Sequence, residues 1–352
     1  MVNFSNFGRI PLKLENQIES IWSAVKGFHI IHFIYTGHEL DLFNIILETG
    51  DDGITSKLLS KSKLLHHSYI DKWCKSGIAW NILESKGDNK VCLAPHMDAI
   101  LTKKGDPRYL LPYVKSCIDH FGPDMKDHSK FYKDGKIYKF QEHSHDFSHD
   151  IGNITEGLQT LVVNKIIPSM NDINETLING GSLLDFGCGT AKLLIKASNL
   201  YQNAKFYGLD IDKSGIQIAN KFIKDIKKED SIKIYDGSMN VKPNSNSIDI
   251  ITMVEVFHEI SKEIRPVILK NMANYLKSNG TLLILDETMP ETENLQDPSA
   301  SLAVLTQYNE MTWGNEVPTK LEQDNLITNA GFSLPERKTI GGLFTLLISK
   351  KI

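Results

Sequence analysis

From about residue 155 onward, the chain repeats one pattern: a short apolar run, then a stretch with helical spacing. The runs are SLLDF (182–186), KFYGLD (205–210), SIKIYD (231–236), IDIITMV (248–254), TLLILD (281–286) and LFTLLIS (343–349). Runs this short and this apolar are strands buried on both faces. Strands that alternate with helices predict a doubly wound, mostly parallel sheet covered by helices on each side. Thr319-Lys320-Leu321-Glu322 has the form of a capping box opening the helix LEQDNLITNAG, which stops at Gly331. A hairpin over roughly 332–349 then closes the sheet.

In an open sheet of this kind, ligands bind at the carboxyl ends of the strands, so the residues there carry the functional information. The first run leads into Asp185-Phe186-Gly187-Cys188-Gly189-Thr190-Ala191. Gly187 and Gly189 permit a tight turn and close approach of a ligand to the backbone. Asp185, immediately before the loop, discriminates between ligands. A dinucleotide puts its pyrophosphate at this turn, where a carboxylate costs roughly 1–4 kcal/mol per unit charge at ~4 Å. A ligand bearing an ammonium and a sulfonium is attracted instead. Ala191 also replaces the third glycine of the dinucleotide pattern. The second run ends at Asp210, where an acidic side chain accepts both hydroxyls of a ribose. The third ends in Asp236-Gly237-Ser238-Met239, placed to receive an adenine amine with an apolar contact beside it. Cys188, Ile211 and Met253 complete the expected cofactor contacts.

The N-terminal third has a different pattern. Ile18, Ile21, Trp22, Val25, Phe28, Ile31 and Ile34 recur at spacings of three and four, which predicts a helix with one buried face. ELDLFNIILETG reads as a second helix ending at Gly50. Thr55 caps a short helix, SYIDKWCKSGIAW forms another, and NILESKGDNKVCLA turns as a hairpin at Gly87-Asp88-Asn89. Helices followed by a hairpin give the order of a winged helix. The expected division is a winged-helix-like domain over 1–118, linker helices over 119–170 and the α/β domain over 171–352.

Taken together, LLDFGCGTA, YGLDID and YDGSM make residues 155–352 resemble the class I S-adenosylmethionine-dependent methyltransferases, at that family's first three motif positions. With the N-terminal pattern, the chain resembles the O-methyltransferases of the caffeic-acid and bacterial polyketide type. The resemblance implies a Rossmann-like catalytic domain, S-adenosylmethionine as cofactor, and a homodimer made by the N-terminal domain. It also implies a histidine base after the fourth strand, matched by His258 in Phe257-His258-Glu259, with Asp286 and Glu316 as its acidic partners. Phe257 and Glu259 then face the substrate. In that family the segment between the domains covers the active site, so Phe147 and His149 are further candidate substrate contacts. The sequence departs from the family at Ile260, where a tryptophan is usual, and at Glu259, where the acid is usually Asp.

A histidine with an ordinary pKa near 6.5 suits removal of a hydroxyl proton. His258 also fits two other roles, a contact to cofactor or substrate and a packing residue. The run His143-Ser144-His145-Asp146-Phe147-Ser148-His149 invites a zinc reading, but no second ligand group stands at recognisable spacing, and a solvated loop is expected rather than a metal site. The formal charge of −4 and the sparse basic residues of SYIDKWCKSGIAW argue against nucleic acid, leaving a DNA-binding regulator as the rival reading. Transfer to nitrogen, sulfur or carbon is the rival chemistry. Four scattered cysteines, no signal-like start and no apolar run of membrane length predict a soluble cytoplasmic protein, and the resemblance implies a small-molecule acceptor.

Overall fold

The computed structural model describes residues 13–239 and 242–352, and the chain divides into two compact units, 1–123 and 124–352. The first unit opens with α1 (Leu14–Glu39), α2 (Leu42–Glu48) and β1 (Ile54–Thr55), followed by α3 (Ser56–Ser62) and α4 (His67–Ala79). The hairpin β2 (Leu83–Ser85) and β3 (Lys90–Leu93) comes next, then α5 (Met97–Leu101) and α6 (Leu111–Ser116). The three strands pair antiparallel in the order β1-β3-β2. As expected, Thr55 caps α3 by accepting from the Leu58 N–H at 3.3 Å. The hairpin turns through Gly87, Asp88 and Asn89, all with positive φ.

The core of this unit gathers Phe33, Phe43, Ile46, Ile70 and Trp73. Phe33 stacks on Trp73 at 4.5 Å, and the Trp73 indole donates to the Phe33 carbonyl at 3.2 Å. Gly37 makes this possible, because a Cβ there would lie 2.6 Å from the Phe43 ring. The sequence reading of α1 is corrected on one point. The helix is present, but its buried residues are Phe33 and Gly37, near its carboxyl end. Ile21, Trp22 and Phe28, expected on a buried face, are 60% exposed or more.

The second unit is led by α7 (Gly122–Asp134), α8 (His145–Ile154), α9 (Glu156–Leu161) and α10 (Asn171–Ile178). Then β4 (Ser182–Phe186), β5 (Lys205–Asp210) and β6 (Ile232–Asp236) alternate with α11 (Lys192–Leu200) and α12 (Lys213–Asp225). After β7 (Ile248–Val254) come α13 (Arg265–Tyr275), β8 (Leu276–Asp286), α14 (Ser301–Glu310) and α15 (Lys320–Asn329). The hairpin β9 (Glu336–Ile340) and β10 (Phe344–Lys350) ends the fold. The seven strands lie in the order β6-β5-β4-β7-β8-β10-β9, and β10 alone runs opposite to the rest, antiparallel to both β8 and β9.

Successive strand residues face opposite sides. Leu183 therefore joins a core with Leu193 and Phe206, while Leu184 joins one with Ile251, Ile284 and Phe332. The capping box forms as read: Thr319 Oγ1 accepts from Glu322 N, and Glu322 accepts from Thr319 N at 2.8 Å. The strand order reverses between β4 and β7. This opens a crevice at their carboxyl ends.

Candidate active site

A cavity of about 370 Å³ occupies this crevice, and all its lining residues belong to the second unit. The Gly-rich loop forms one wall. Gly187 has φ +73°, and a Cβ on it would lie 2.5 Å from Val256, so only glycine lets the loop pass the chain leaving β7. Gly189 has φ +48° and donates its N–H to Asp210 Oδ2 at 2.7 Å. Asp210 also accepts from the Asp212 N–H at 2.8 Å, which ties the ends of β4 and β5 together. Cys188, Gly189, Asp210 and Ile211 line the cavity as expected.

Several expected contacts lie elsewhere. Asp185 is 3% exposed and accepts from the Thr252 hydroxyl at 2.7 Å, and its carboxylate does not line the cavity. Burial pushes its pKa up to about 7. Asp236, Gly237 and Ser238 also lie off the lining, and Asp236 is tied to the N–H and hydroxyl of Ser238, whose bonds hold its pKa low. Met253 packs in the core, and strand alternation brings Val254 to the cavity instead. Asp212, which the motifs did not single out, lines the cavity and caps α12 by accepting from Ser214 N and Gly215 N.

The segment after β7 is held rigidly. Glu255 takes φ +57°, rare for a residue with a side chain. Buried Arg265 donates to the carbonyls of Ile260 at 2.8 Å and His258 at 3.2 Å, and also to that of Glu316. His258 is 2% exposed and lies among carboxylates. Its Nδ1 is 2.6 Å from Asp286 Oδ1 and 3.4 Å from Glu287 Oε2, and its Nε2 is 3.1 Å from Glu310 Oε2. Burial opposes a charged ring, but Asp286 and Glu310 outweigh it and hold the His258 pKa well above its usual value. Asp286 is pushed up by burial and pulled below the usual range by His258 and the Glu287 N–H. Burial raises Glu287 to about 7.

Glu310 therefore stands where Glu316 was expected. The Glu316 side chain is half exposed and reaches only Lys262, at 3.5 Å. Asp286 is placed as read. Phe257 packs in the core beneath Arg265, so it is not a substrate contact, whereas Glu259 lines the cavity.

The segment read as a solvated loop is in part the helix α8, capped by Ser144, whose hydroxyl accepts from Phe147 N at 3.2 Å. Ser148, Ile151, Gly152 and Thr155 face the cavity at helical spacing, which turns Phe147 and His149 away from it. Phe147 stacks instead on His143, and His149 hydrogen-bonds with Asp150 and Asn153. His143 is bound to Asp124 at 2.9 Å, and the three histidines of the run do not converge. Phe140 and Trp313 supply aromatic walls, and the Trp313 indole donates to Asp124 at 3.0 Å.

Among the described residues, ligand atoms dense enough for a metal ion occur around His258, with Asp286 and Glu287 or with Glu259 and Glu310. In the first set, the Asp286 oxygens already accept from the backbone N–H groups of Phe257, His258 and Glu287. That leaves its lone pairs occupied.

Comparison with known proteins agrees with this geometry. Residues 178–329 match the family described as "Methyltransferase domain". An uncharacterized protein, RP028, of Rickettsia prowazekii is 25% identical over 126 residues, 36% of this chain. The match spans half of that relative's length. Among solved structures, human N-acetylserotonin methyltransferase in complex with SAM superposes with a TM-score of 0.75 at 14% identity, covering 96% of this chain and 98% of that one. The mitomycin 7-O-methyltransferase MmcR does so at 0.73 with 12% identity, covering 96% and 98%. Residues 178–329 thus match a methyltransferase domain, and the second unit has the fold of the class I, S-adenosylmethionine-dependent methyltransferases. Both units together carry the fold of the O-methyltransferases that open with a helical domain, as the motifs implied.

The residues fit that cofactor. The loop at Gly187 and Gly189 admits close approach of a ligand, and Asp210, at the end of β5, lines the cavity beside it.

Proposed function

We propose that the protein methylates a hydroxyl of a small molecule bound in this cavity, with the His258 cluster taking the hydroxyl proton. The observation that carries this reading is the His258 ring, bridged by Asp286 and Glu310, with ligand atoms of His258, Glu259 and Glu310 within 4.8 Å of one another. Glu259 lines the cavity and so connects it to this group. When bound, S-adenosylmethionine supplies the methyl group as an electrophile. Gly187, Gly189 and Asp210 hold the donor, and Asp286 fixes the His258 ring with Nδ1–H toward its carboxylate. Nε2 is then the proton-accepting atom once the acceptor hydroxyl displaces Glu310 from it, as pairing to both carboxylates otherwise keeps the ring protonated. A cavity of this size suits a small acceptor rather than a polymer. Replacing His258 by Ala is expected to lower turnover by about 10²–10⁴ with the affinity for S-adenosylhomocysteine nearly kept. Near-normal turnover in this variant removes the base role and leaves His258 as a packing residue.

The N-terminal unit serves as the contact between two copies in a homodimer. The supporting observation is α1, whose Leu14, Ile21, Trp22 and Phe28 expose a large apolar face. A cytoplasmic location accords with four free cysteines, and no helix among the described residues is long and apolar enough to cross a membrane.

A further inference from the structure

The cavity carries a charge pattern that binding the methyl donor does not account for. Asp210, Asp212, Glu255 and Glu259 line it, against Lys139 as the one lysine or arginine among its described lining residues. Asp210 and Asp212 are occupied by backbone N–H groups. Glu255 is not satisfied in this way, since its Oε1 is buried without a hydrogen-bond partner. Directly behind, Asp286, Glu287 and Glu310 surround the single positive charge of His258, and the Oε2 of Glu287, only 1% exposed, accepts no hydrogen bond and lies 3.4 Å from the His258 Nδ1. Phe140 and Trp313 line the same cavity with their rings at 90° and 6.3 Å apart, making an aromatic corner. Hydrogen bonding to Asp124 and packing against His143 fix Trp313 in this position.

We propose that the methyl acceptor is a cation: a small aromatic or apolar molecule with an amine charge that sits against Glu255 and Glu259. Its body then lies against Phe140 and Trp313. This proposal depends on the small-molecule methyltransferase reading and names the substrate class for it.

The methyl donor carries a sulfonium and an ammonium against one carboxylate, a net charge of one. That is fewer positive charges than the two glutamates and the His258 cluster can pair. An unpaired buried carboxylate is costly, and a cation at hydrogen-bond distance relieves the cost. Burial, with Glu287 and Asp286 next in effect at Glu255 and Glu310 next at Glu259, holds both glutamates well above the ordinary carboxylate range. A neutral acceptor leaves them in that state, and an anionic acceptor adds repulsion. Aromatic faces beside carboxylates are also the surroundings in which ammonium groups are recognised.

The test is a calorimetric titration of the full chain saturated with S-adenosylhomocysteine. Three probes of similar size are compared: 4-(2-aminoethyl)phenol, 4-ethylphenol and 3-(4-hydroxyphenyl)propionate. The amine is expected to bind about tenfold to a hundredfold more tightly than the neutral phenol, with the propionate weakest. Glu255→Gln is expected to bring the amine toward the level of the neutral phenol. The proposal is overturned if the amine shows no binding at millimolar concentration or if either other probe binds as well. Retention of the preference in Glu255→Gln overturns it too. The ranking on the unmodified chain decides the matter even if that variant does not fold. Absence of S-adenosylhomocysteine binding is a separate result, and it defeats the methyltransferase reading itself.

Discussion

Asp286→Asn is the sharpest test of the buried cluster. The Asp286 carboxylate accepts from Phe257 N at 2.7 Å and His258 N at 3.2 Å on one oxygen. On the other it accepts from His258 Nδ1 at 2.6 Å and Glu287 N at 2.8 Å. An asparagine keeps one oxygen and turns an NH₂ toward the second pair of donors. Two buried donors left without acceptors cost about 1–3 kcal/mol each, or roughly 2–6 kcal/mol together. Breaking a buried ion pair costs about 3–5 kcal/mol by a separate reckoning. The two figures describe the same loss, so the expectation is about 3–5 kcal/mol. For a unit of this size it corresponds to a melting midpoint lower by roughly 6–20 °C.

The pH dependence has a definite sign. The depressed Asp286 pKa contributes stability above its unfolded value of about 3.9, and this is lost as pH falls through the folded value. The raised His258 pKa contributes fully below about 6.5, and that contribution is lost as pH rises through the folded value. The gap between the unmodified chain and the variant is therefore widest at about pH 4–6.5. Thermal and urea unfolding followed by near-UV circular dichroism measures it. A gap below about 1 kcal/mol at pH 6, or one that fails to narrow as pH falls toward the Asp286 pKa, refutes the reasoning.

Gly187→Ala forces a side chain into a positive φ and against Val256, so S-adenosylhomocysteine binding should fall by at least about tenfold in a calorimetric titration. Asp210→Ala leaves the Gly189 and Asp212 N–H groups and two ribose hydroxyls without an acceptor. Its expected cost in cofactor affinity is roughly 1–3 kcal/mol, and an unchanged affinity removes the ribose role. Light scattering at micromolar concentration should find a dimer, and Trp22→Glu combined with Phe28→Glu should shift it to monomer. A monomeric unmodified chain counts directly against the role given to the exposed face of α1.

The sequence by itself determined what depends on near neighbours. The apolar runs at 182–186, 205–210 and 248–254 became parallel strands, because an apolar stretch of that length is satisfied only between helical layers. Thr55 and Thr319 became caps, and Gly187 and Gly189 made the turn, since these effects extend over three or four residues at most. Which polar groups meet was decided only in the tertiary structure. Glu310, not Glu316, reached His258, because the end of α14 lies there and the register of that insertion leaves no mark at short range. Arg265 carried no motif either, yet its guanidinium pins three carbonyls around the turn after β7. Asp185 was read correctly as the end of a strand, but its bond to Thr252 was not legible, because that partner comes from a strand 67 residues away in sequence. Phe147 and Phe28 show the same limit. Helical spacing says which residues share a face, and only the packing of the whole chain says what that face meets.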